Sequence, residues 1–431
     1  MKYFSLNRQS PIVDFKEATI LGQAPDKGLY FPKHIPVHAT NFIDQLKNLS
    51  KEEIAFRVME PFVGDEIPDD ELYRIVCETV NFSFPLKWIH STIASLELYH
   101  GPTFAFKDVG ARFMSRCLSY FSKNQTNKIT ILVATSGDTG GAVANGFLGV
   151  EGIEVVILYP SGKVSPVQEL QLTTCGENIT ALEVDGSFDD CQAMVKMAFA
   201  DNDINAAMQL SSANSINVAR WLSQQIYYYL AYQQWEEKTA PVIAVPSGNF
   251  GNLCAGIMAY KTGLPVKHFI AACNINDAVP EYLQTGIFSS KPTSPTISNA
   301  MDVGNPSNFV RILALMNHDY VAFSSLVSGY TISDEVTIQT IREVHQQYDY
   351  LLDPHGAVAY AALLQYQQNH NNAAGYILET ADPIKFPDAI KTAIGSEPSI
   401  PLAAMELFTK EKRSIPLKND YASFKDYLLS R

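Results

Sequence analysis

Lys107 stands in the segment HGPTFAFKDVGARFM, flanked by Phe104, Phe106 and Phe113 in a stretch otherwise short of charge. An amine held among aromatic rings is pushed by desolvation toward its neutral, nucleophilic form, the state needed for covalent attack on a carbonyl carbon. The same window also suits a surface lysine whose stem lies along apolar neighbours, so by itself it leaves both readings open.

Three Ser-Gly pairs follow apolar runs: Ser136-Gly137, Ser161-Gly162 and Ser247-Gly248. In open α/β sheets such turns sit at the carboxyl ends of strands and feed helix N-termini, whose free N–H groups receive anions; each alone also suits an ordinary connecting turn. In SGNFGN, Gly248 and Gly251 are spaced so that backbone can wrap a tetrahedral anion. This segment lacks the Gly-Lys-Ser/Thr end of a nucleotide loop and the G-x-G-x-x-G of a dinucleotide fold, which disfavours ATP and NAD.

Several other chemistries are excluded. His34 and His38 are four apart but Pro36 lies between them, and no third clustered ligand follows, so no metal site is expected. There is no G-x-S-x-G elbow. His355 heads a small-residue segment, DPHGAVAYAAL, and reads as a capping or packing residue. With 32 Lys and Arg against 45 Asp and Glu, the chain has a formal net charge of -13 and no basic face for nucleic acid. No apolar run approaches a membrane span, and MKYFSLNRQSPIVDF does not read as a secretory signal. The cysteines, Cys77, Cys117, Cys175, Cys191, Cys254 and Cys273, form no Cys-x-x-Cys pair, which favours free thiols in a reducing cytoplasm.

The elements that must position these residues change character along the chain. Residues 1 to about 95 carry helical pieces such as FIDQLKNLSKEEIAFRVMEPF and DDELYRIVCETV with few strand signals. From about 128, fully apolar strands alternate with helices, as in KITILVATSGDTGGAVANGF, VVILYPSGKVSPVQELQ and PVIAVPSGNFGNLCAGIMAY, the pattern of parallel sheet buried on both faces. The apolar positions of SFDDCQAMVKMAFA and SINVARWLSQQIYYYLAYQQW recur at helical spacing. An α/β fold is expected, with an N-terminal, mostly helical domain over 1–95, a small α/β domain over 96–225 and a large one over 226–431.

The ordered series GPTFAFKD, TSGDTGGA, SANSIN, PSGNFGN, NAMDVGNPSN and DPHGAVAY resembles threonine synthases of the bacterial and fungal type, over nearly the whole chain from Gly28 in GLYFP to KFPDAI at Lys385. Each piece is weak alone; the combination is specific. The resemblance implies a fold type II (tryptophan synthase beta-like) enzyme dependent on pyridoxal 5'-phosphate (PLP), with Lys107 as the Schiff-base and catalytic lysine. It implies a cup for the cofactor phosphate at Gly248, Asn249, Phe250, Gly251 and Asn252, and Thr380 in YILETADP at the pyridine nitrogen. A hydroxyl there makes the ring a weaker electron sink, leaving more of the proton work to the lysine.

By the same resemblance Ser136, Gly137 and Thr139 receive the substrate carboxylate, and Asp138 stands near the cofactor 3'-oxygen. A carboxylate there is either protonated or shares the Schiff-base proton, or else serves only as a helix N-cap. Asn214 and Arg220 resemble the family's substrate-phosphate pair; Arg112 and Lys163 are further candidates that suit surface charges equally well. Where the family commonly has T-A-H-P-A-K-F, this chain has Asp382 in place of His, so a chemical role for that histidine is in doubt while the capped turn should survive.

The expected activity is conversion of O-phospho-L-homoserine and water to L-threonine and phosphate, a carbon–oxygen lyase reaction that ends threonine biosynthesis, carried out by a monomer or homodimer. The alternatives are a related lyase releasing a 2-oxo acid from the same substrate, and a PLP-binding regulatory protein without turnover.

Overall fold

The computed structural model describes residues 1–123, 128–371 and 373–431. Two sheets carry the molecule. The first has five parallel strands in the order Ile415–Leu417, Ile179–Val184, Ile153–Pro160, Ile129–Ala134, Gln209–Ser212. The second has six, in the order Val327–Thr331, His268–Cys273, Val242–Pro246, Gly375–Glu379, Ile93–Glu97, Leu86–His90, and only its last pair is antiparallel.

The central strands ITILVA, VIAVP, HFIAAC and GYILE are buried at every position. They are rich in Val and Ile and covered by helices on both faces, so they carry no alternation of apolar and polar residues. The expected α/β class follows from this. Helices Phe188–Ala200, Val218–Leu222 and Gln225–Gln234 stand where helical spacing placed them.

Sheet membership cuts across the boundaries expected near 95 and 225. The hairpin Leu86–His90 and Ile93–Glu97 belongs to the sheet built mainly from 242–379, and Ile415–Leu417 returns to pair with Ile179–Val184 in the other sheet. The N-terminal region is also less helical than expected. Beside helices Lys51–Val63 and Asp69–Thr79 it holds an antiparallel sheet of Val13–Asp14, Lys2–Ser5 and Tyr30–Pro32, strands too short to show a period in sequence. Tyr3, Phe15 and Tyr30 of this region share one continuous core with Phe113, Trp221 and Leu253, so it is packed into the body of the protein.

Candidate active site

Lys107 opens helix Lys107–Ser122, and the turn before it is tied down from two directions. Asp108 accepts the backbone N–H of Thr103 at 2.9 Å and the Thr103 hydroxyl at 2.5 Å, while Phe106 N–H donates to the carbonyl of Thr380 at 2.9 Å. Ala105 bridges Ala381, so the lysine turn and the loop after strand Gly375–Glu379 move as one. Thr380 lies at this junction, buried at the carboxyl end of the strand.

Strand Ile129–Ala134 runs into Thr135-Ser136-Gly137 and then helix Asp138–Phe147. Gly137 has φ +139, and a Cβ there would collide with the Gln168 side chain, so only glycine makes this turn. The Thr135 hydroxyl accepts the N–H groups of Gly137 and Gly140, each at 2.9 Å. The N–H groups of Ser136, Asp138 and Thr139 have no hydrogen-bond acceptor among the described residues, leaving a helix N-terminus open to an anion.

Asp138 is not the N-cap; Gly137 occupies that position. Its carboxylate faces inward, with Oδ1 receiving Lys385 Nζ at 2.7 Å and Gln168 Nε2 at 2.9 Å, and Oδ2 lying 3.4 Å from Lys107 Nζ. Burial would raise this carboxyl, but the Lys385 and Lys107 ammonium groups outweigh burial and hold it far below the usual carboxylate range. These contacts favour the ionised form of Asp138, and Gly137 at the cap position leaves it no N-cap role. Burial pushes the Lys107 amine down and Asp138 opposes that push, while Lys385 and Arg220 add to it; the net direction is downward, as expected for a nucleophilic amine.

The glycine loop follows strand Val242–Pro246. Phe250 adopts a left-handed conformation, φ +61, and no side chain caps helix Gly251–Lys261. The N–H groups of Asn249, Phe250, Gly251 and Asn252 find no hydrogen-bond acceptor among the described residues, and a Cβ on Gly248 would come within 2.7 Å of Ala300 O. Uncapped donors around a cradle that admits no Cβ fit a phosphate group, and a lowered-pKa lysine fits the carbonyl of PLP; the residues present fit that cofactor. The cup is braced by Asn249 Nδ2 and Asn308 Nδ2, which donate to Ser215 Oγ at 2.9 and 3.0 Å. Arg311, fully buried, donates to the carbonyls of Tyr30, Ser215 and Ile216 and to Asn308 Oδ1, fastening these loops together.

Arg220 is buried at 2% exposure, with Nη1 on the carbonyl of Ala213; among the described residues its Nε and Asn214 Oδ1 have no hydrogen-bond partner. Burial lowers the guanidinium to about 10, which leaves it a cation at neutral pH. Gly110 permits its approach, since a Cβ there would sit 3.1 Å from Arg220 Nε. Arg112 and Lys163 lie apart from this arrangement. Arg112 Nε and Nη2 both donate to the carbonyl of Glu78, closing the end of helix Asp69–Thr79, and Lys163 is exposed. Ser161-Gly162 is likewise an exposed turn, separated from helix Pro166–Thr173 by its own Ser165 cap.

Asp382 caps the turn Pro383–Lys385 by accepting the Ile384 N–H at 3.0 Å, as its position before proline implied. His355 is a packing residue: Nδ1 meets Asp353 Oδ1 at 2.6 Å and Nε2 accepts from Ala300 N–H. Sequence reasoning missed Lys385, Gln168 and Arg311. Gln168 had a signal, because Ser165-Pro-Val-Gln168 reads as a capping box. Lys385 stands at the lysine of the family's T-A-H-P-A-K-F segment, a signal that gave it no role, and Arg311 had no signal, since its partners lie far away in sequence.

Residues 2–80 match the threonine synthase N-terminus family, 93–378 the pyridoxal-phosphate dependent enzyme family, and 356–428 the threonine synthase C-terminal family. The chain is 41% identical to the threonine synthase of Escherichia coli over 433 residues, covering 100% of both chains. The crystal structure of that enzyme superposes with a TM-score of 0.93 at 40% identity, covering 100% of each chain. The PLP-bound threonine synthase of Brucella melitensis also gives 0.93, at 35% identity over 100% of this chain and 99% of that one. The three family matches, with full-length identity of this order, establish that the chain belongs to the threonine synthase family of PLP-dependent enzymes.

Proposed function

We propose that the chain converts O-phospho-L-homoserine and water to L-threonine and inorganic phosphate, with Lys107 as the group that carries protons between substrate carbons. The observation that carries the substrate assignment is Arg220: a buried cation whose Nε has no hydrogen-bond partner among the described residues and which contributes no donor to the Gly248–Asn252 cup. One cup serves a cofactor phosphate; a second built cationic place calls for a second anion, and a phosphorylated substrate supplies it.

When bound, PLP supplies an electron sink that acidifies the substrate carbons next to its amino group. The protein supplies the rest. The open N–H groups of Ser136, Asp138 and Thr139 would receive the substrate carboxylate. Lys107, its amine pushed downward by burial, would take and return protons at Cα, Cβ and Cγ, and Asp138 would hold that amine in place. Arg220 and Asn214 would grip the phosphate while the Cγ–O bond breaks, the leaving group departing with both bonding electrons, and would limit entry of bulk water. Water then adds at Cβ. Gly248 to Asn252 and Thr380 would hold the cofactor. The cytoplasm is the proposed compartment, in keeping with six free thiols, and a monomer or homodimer the proposed state; among the described residues no helix is long and apolar enough to cross a membrane.

Turnover in oxygen-18 water is the test. The label is expected in the threonine hydroxyl and not in phosphate, and heavy water should place deuterium in the methyl group. Labelled phosphate with homoserine, or 2-oxobutyrate with ammonia, would overturn the assignment.

A further inference from the structure

Two lysines share one carboxylate at the centre of the site, and they share it unequally. Lys385 Nζ lies 2.7 Å from Asp138 Oδ1 and also donates to the Thr103 carbonyl at 2.7 Å, and its side chain is 0% exposed. Lys107 Nζ lies 3.4 Å from Oδ2 and its side chain is 16% exposed. Gln168, anchored by its own capping box, occupies Oδ1 as well. Oδ1 is thus held by two donors, which leaves Oδ2 turned toward Lys107.

We propose that Lys385 is a positioning residue: by pinning Oδ1 of Asp138 and compensating its charge, it keeps Asp138 from closing a full ion pair with Lys107 and so leaves the Lys107 amine free to lose its proton. The inference rests on Lys107 being the cofactor lysine. With Lys385 removed, a single buried carboxylate would face a single lysine, and mutual attraction in that dry setting would hold Lys107 protonated. With Lys385 present the carboxylate is shared between two lysines, and the longer contact, to Lys107, holds that amine less firmly. The charged groups facing Lys107 are Asp138 from helix Asp138–Phe147, Lys385 from the turn Pro383–Lys385 and Arg220 from helix Val218–Leu222. Helix Pro166–Thr173 contributes the neutral Gln168, and the Thr103 turn a carbonyl. Asp108, one residue on, lies toward Arg220 and is bonded to Thr103.

The test follows Lys107 itself in the full-length protein freed of PLP. The amine is labelled with an acylating reagent across a range of pH, and the Lys107 peptide is quantified by mass spectrometry. In Lys385→Met the labelling curve should move to higher pH, with labelling at neutral pH roughly tenfold slower. Lys385→Arg, which keeps the charge, should restore the wild-type curve, and PLP should bind more weakly to the Met variant than to the Arg variant. A Met variant that loses thermal stability while Lys107 labels as in wild type would overturn the proposal, because a purely structural lysine would do that. Should Lys385→Met fail to fold, Asp138→Asn serves: without the anion, Lys385 repels the proton on Lys107 and the curve should move to lower pH, and an unmoved curve overturns the proposal. Borohydride fixation of PLP on wild-type protein separates this from the functional reading. A chromophore fixed to another peptide would defeat the role of Lys107 whatever the labelling curves show.

Discussion

The lysine cluster around Asp138 and the carboxylate cluster around Glu379 are both buried and meet along the strand end Glu379-Thr380, yet they handle charge in opposite ways. Around Asp138 charge is matched by charge: the carboxylate is held ionised by its two lysine neighbours and Arg220 remains a cation, while burial pushes the Lys107 amine downward. Around Glu379 lie Glu97, Asp353 and Asp382, with few cations to match. Glu97 stays charged, since Lys87 and His100 at 2.9 and 2.7 Å overcome its burial. Glu379 makes no ion pair among the described residues. Burial and the nearby Asp353 raise its carboxyl far above the ordinary range, which favours the neutral acid, with one oxygen on the Asp353 N–H and the other without a partner among the described residues, facing Gly356. Buried charge is kept, at a desolvation cost, where anions must be received or a proton moved; where the group only joins strand to helix, a proton replaces the counter-ion.

Replacing residues on each side should separate the two kinds of cluster. The largest effect is expected for Lys107→Ala, which should lower turnover about a thousandfold or more while keeping some PLP through the Gly248–Asn252 cup, read by steady-state kinetics and cofactor titration. On the acidic side, Gly356→Ala drives a methyl into the Glu379 carboxyl and should cost about 2–3 kcal/mol in urea unfolding, with Lys107 labelling unchanged. Arg220→Lys should raise KM for the phosphorylated substrate about tenfold with PLP affinity little changed, because a planar fork becomes a point charge; a collapse of PLP binding would mean the two anion places are exchanged.

The smallest effect is expected for Glu379→Gln. If the carboxyl is already neutral, the amide should change stability at neutral pH by no more than about 1 kcal/mol. Its folded-state pKa lies above that of the unfolded chain, so its contribution to stability is fully present in acid and declines as pH rises past the ordinary carboxylate value. The Gln variant should flatten that decline in unfolding measured across pH. A loss of several kcal/mol at neutral pH would show that Glu379 is ionised and that the contrast between the clusters is false.

How much of this was legible in sequence depended on distance along the chain. Lys107 was singled out, though not decided, by its flanking phenylalanines, and the open N–H groups of SGNFGN were suggested by two glycines three apart, because those signals lie within a few residues. The apolar strands announced parallel sheet for the same reason. The state of Asp138 was not legible, since it is set by Lys385, whose place beside it depends on how the turn after Gly375–Glu379 packs on the helix 138–147. Arg112, a further candidate that suited a surface charge equally well, donates to the Glu78 carbonyl, a contact 34 residues distant in sequence. The return of Ile415–Leu417 to the first sheet left no local mark at all.

Arg311 gives the site a place in time as well as in space. Its guanidinium joins the Tyr30 carbonyl, 281 residues earlier, to the Ser215 and Asn308 bracing of the phosphate cup. At ordinary elongation rates roughly 15 to 55 s separate the synthesis of Tyr30 from that of Arg311. Until Arg311 has been added and docked, the loops that brace the cup are not fastened to the N-terminal strand. A nascent chain therefore lacks the braced cup however much of its first sheet has formed, and PLP acts as a ligand for the finished fold, withdrawing completed molecules from the unfolding equilibrium by mass action.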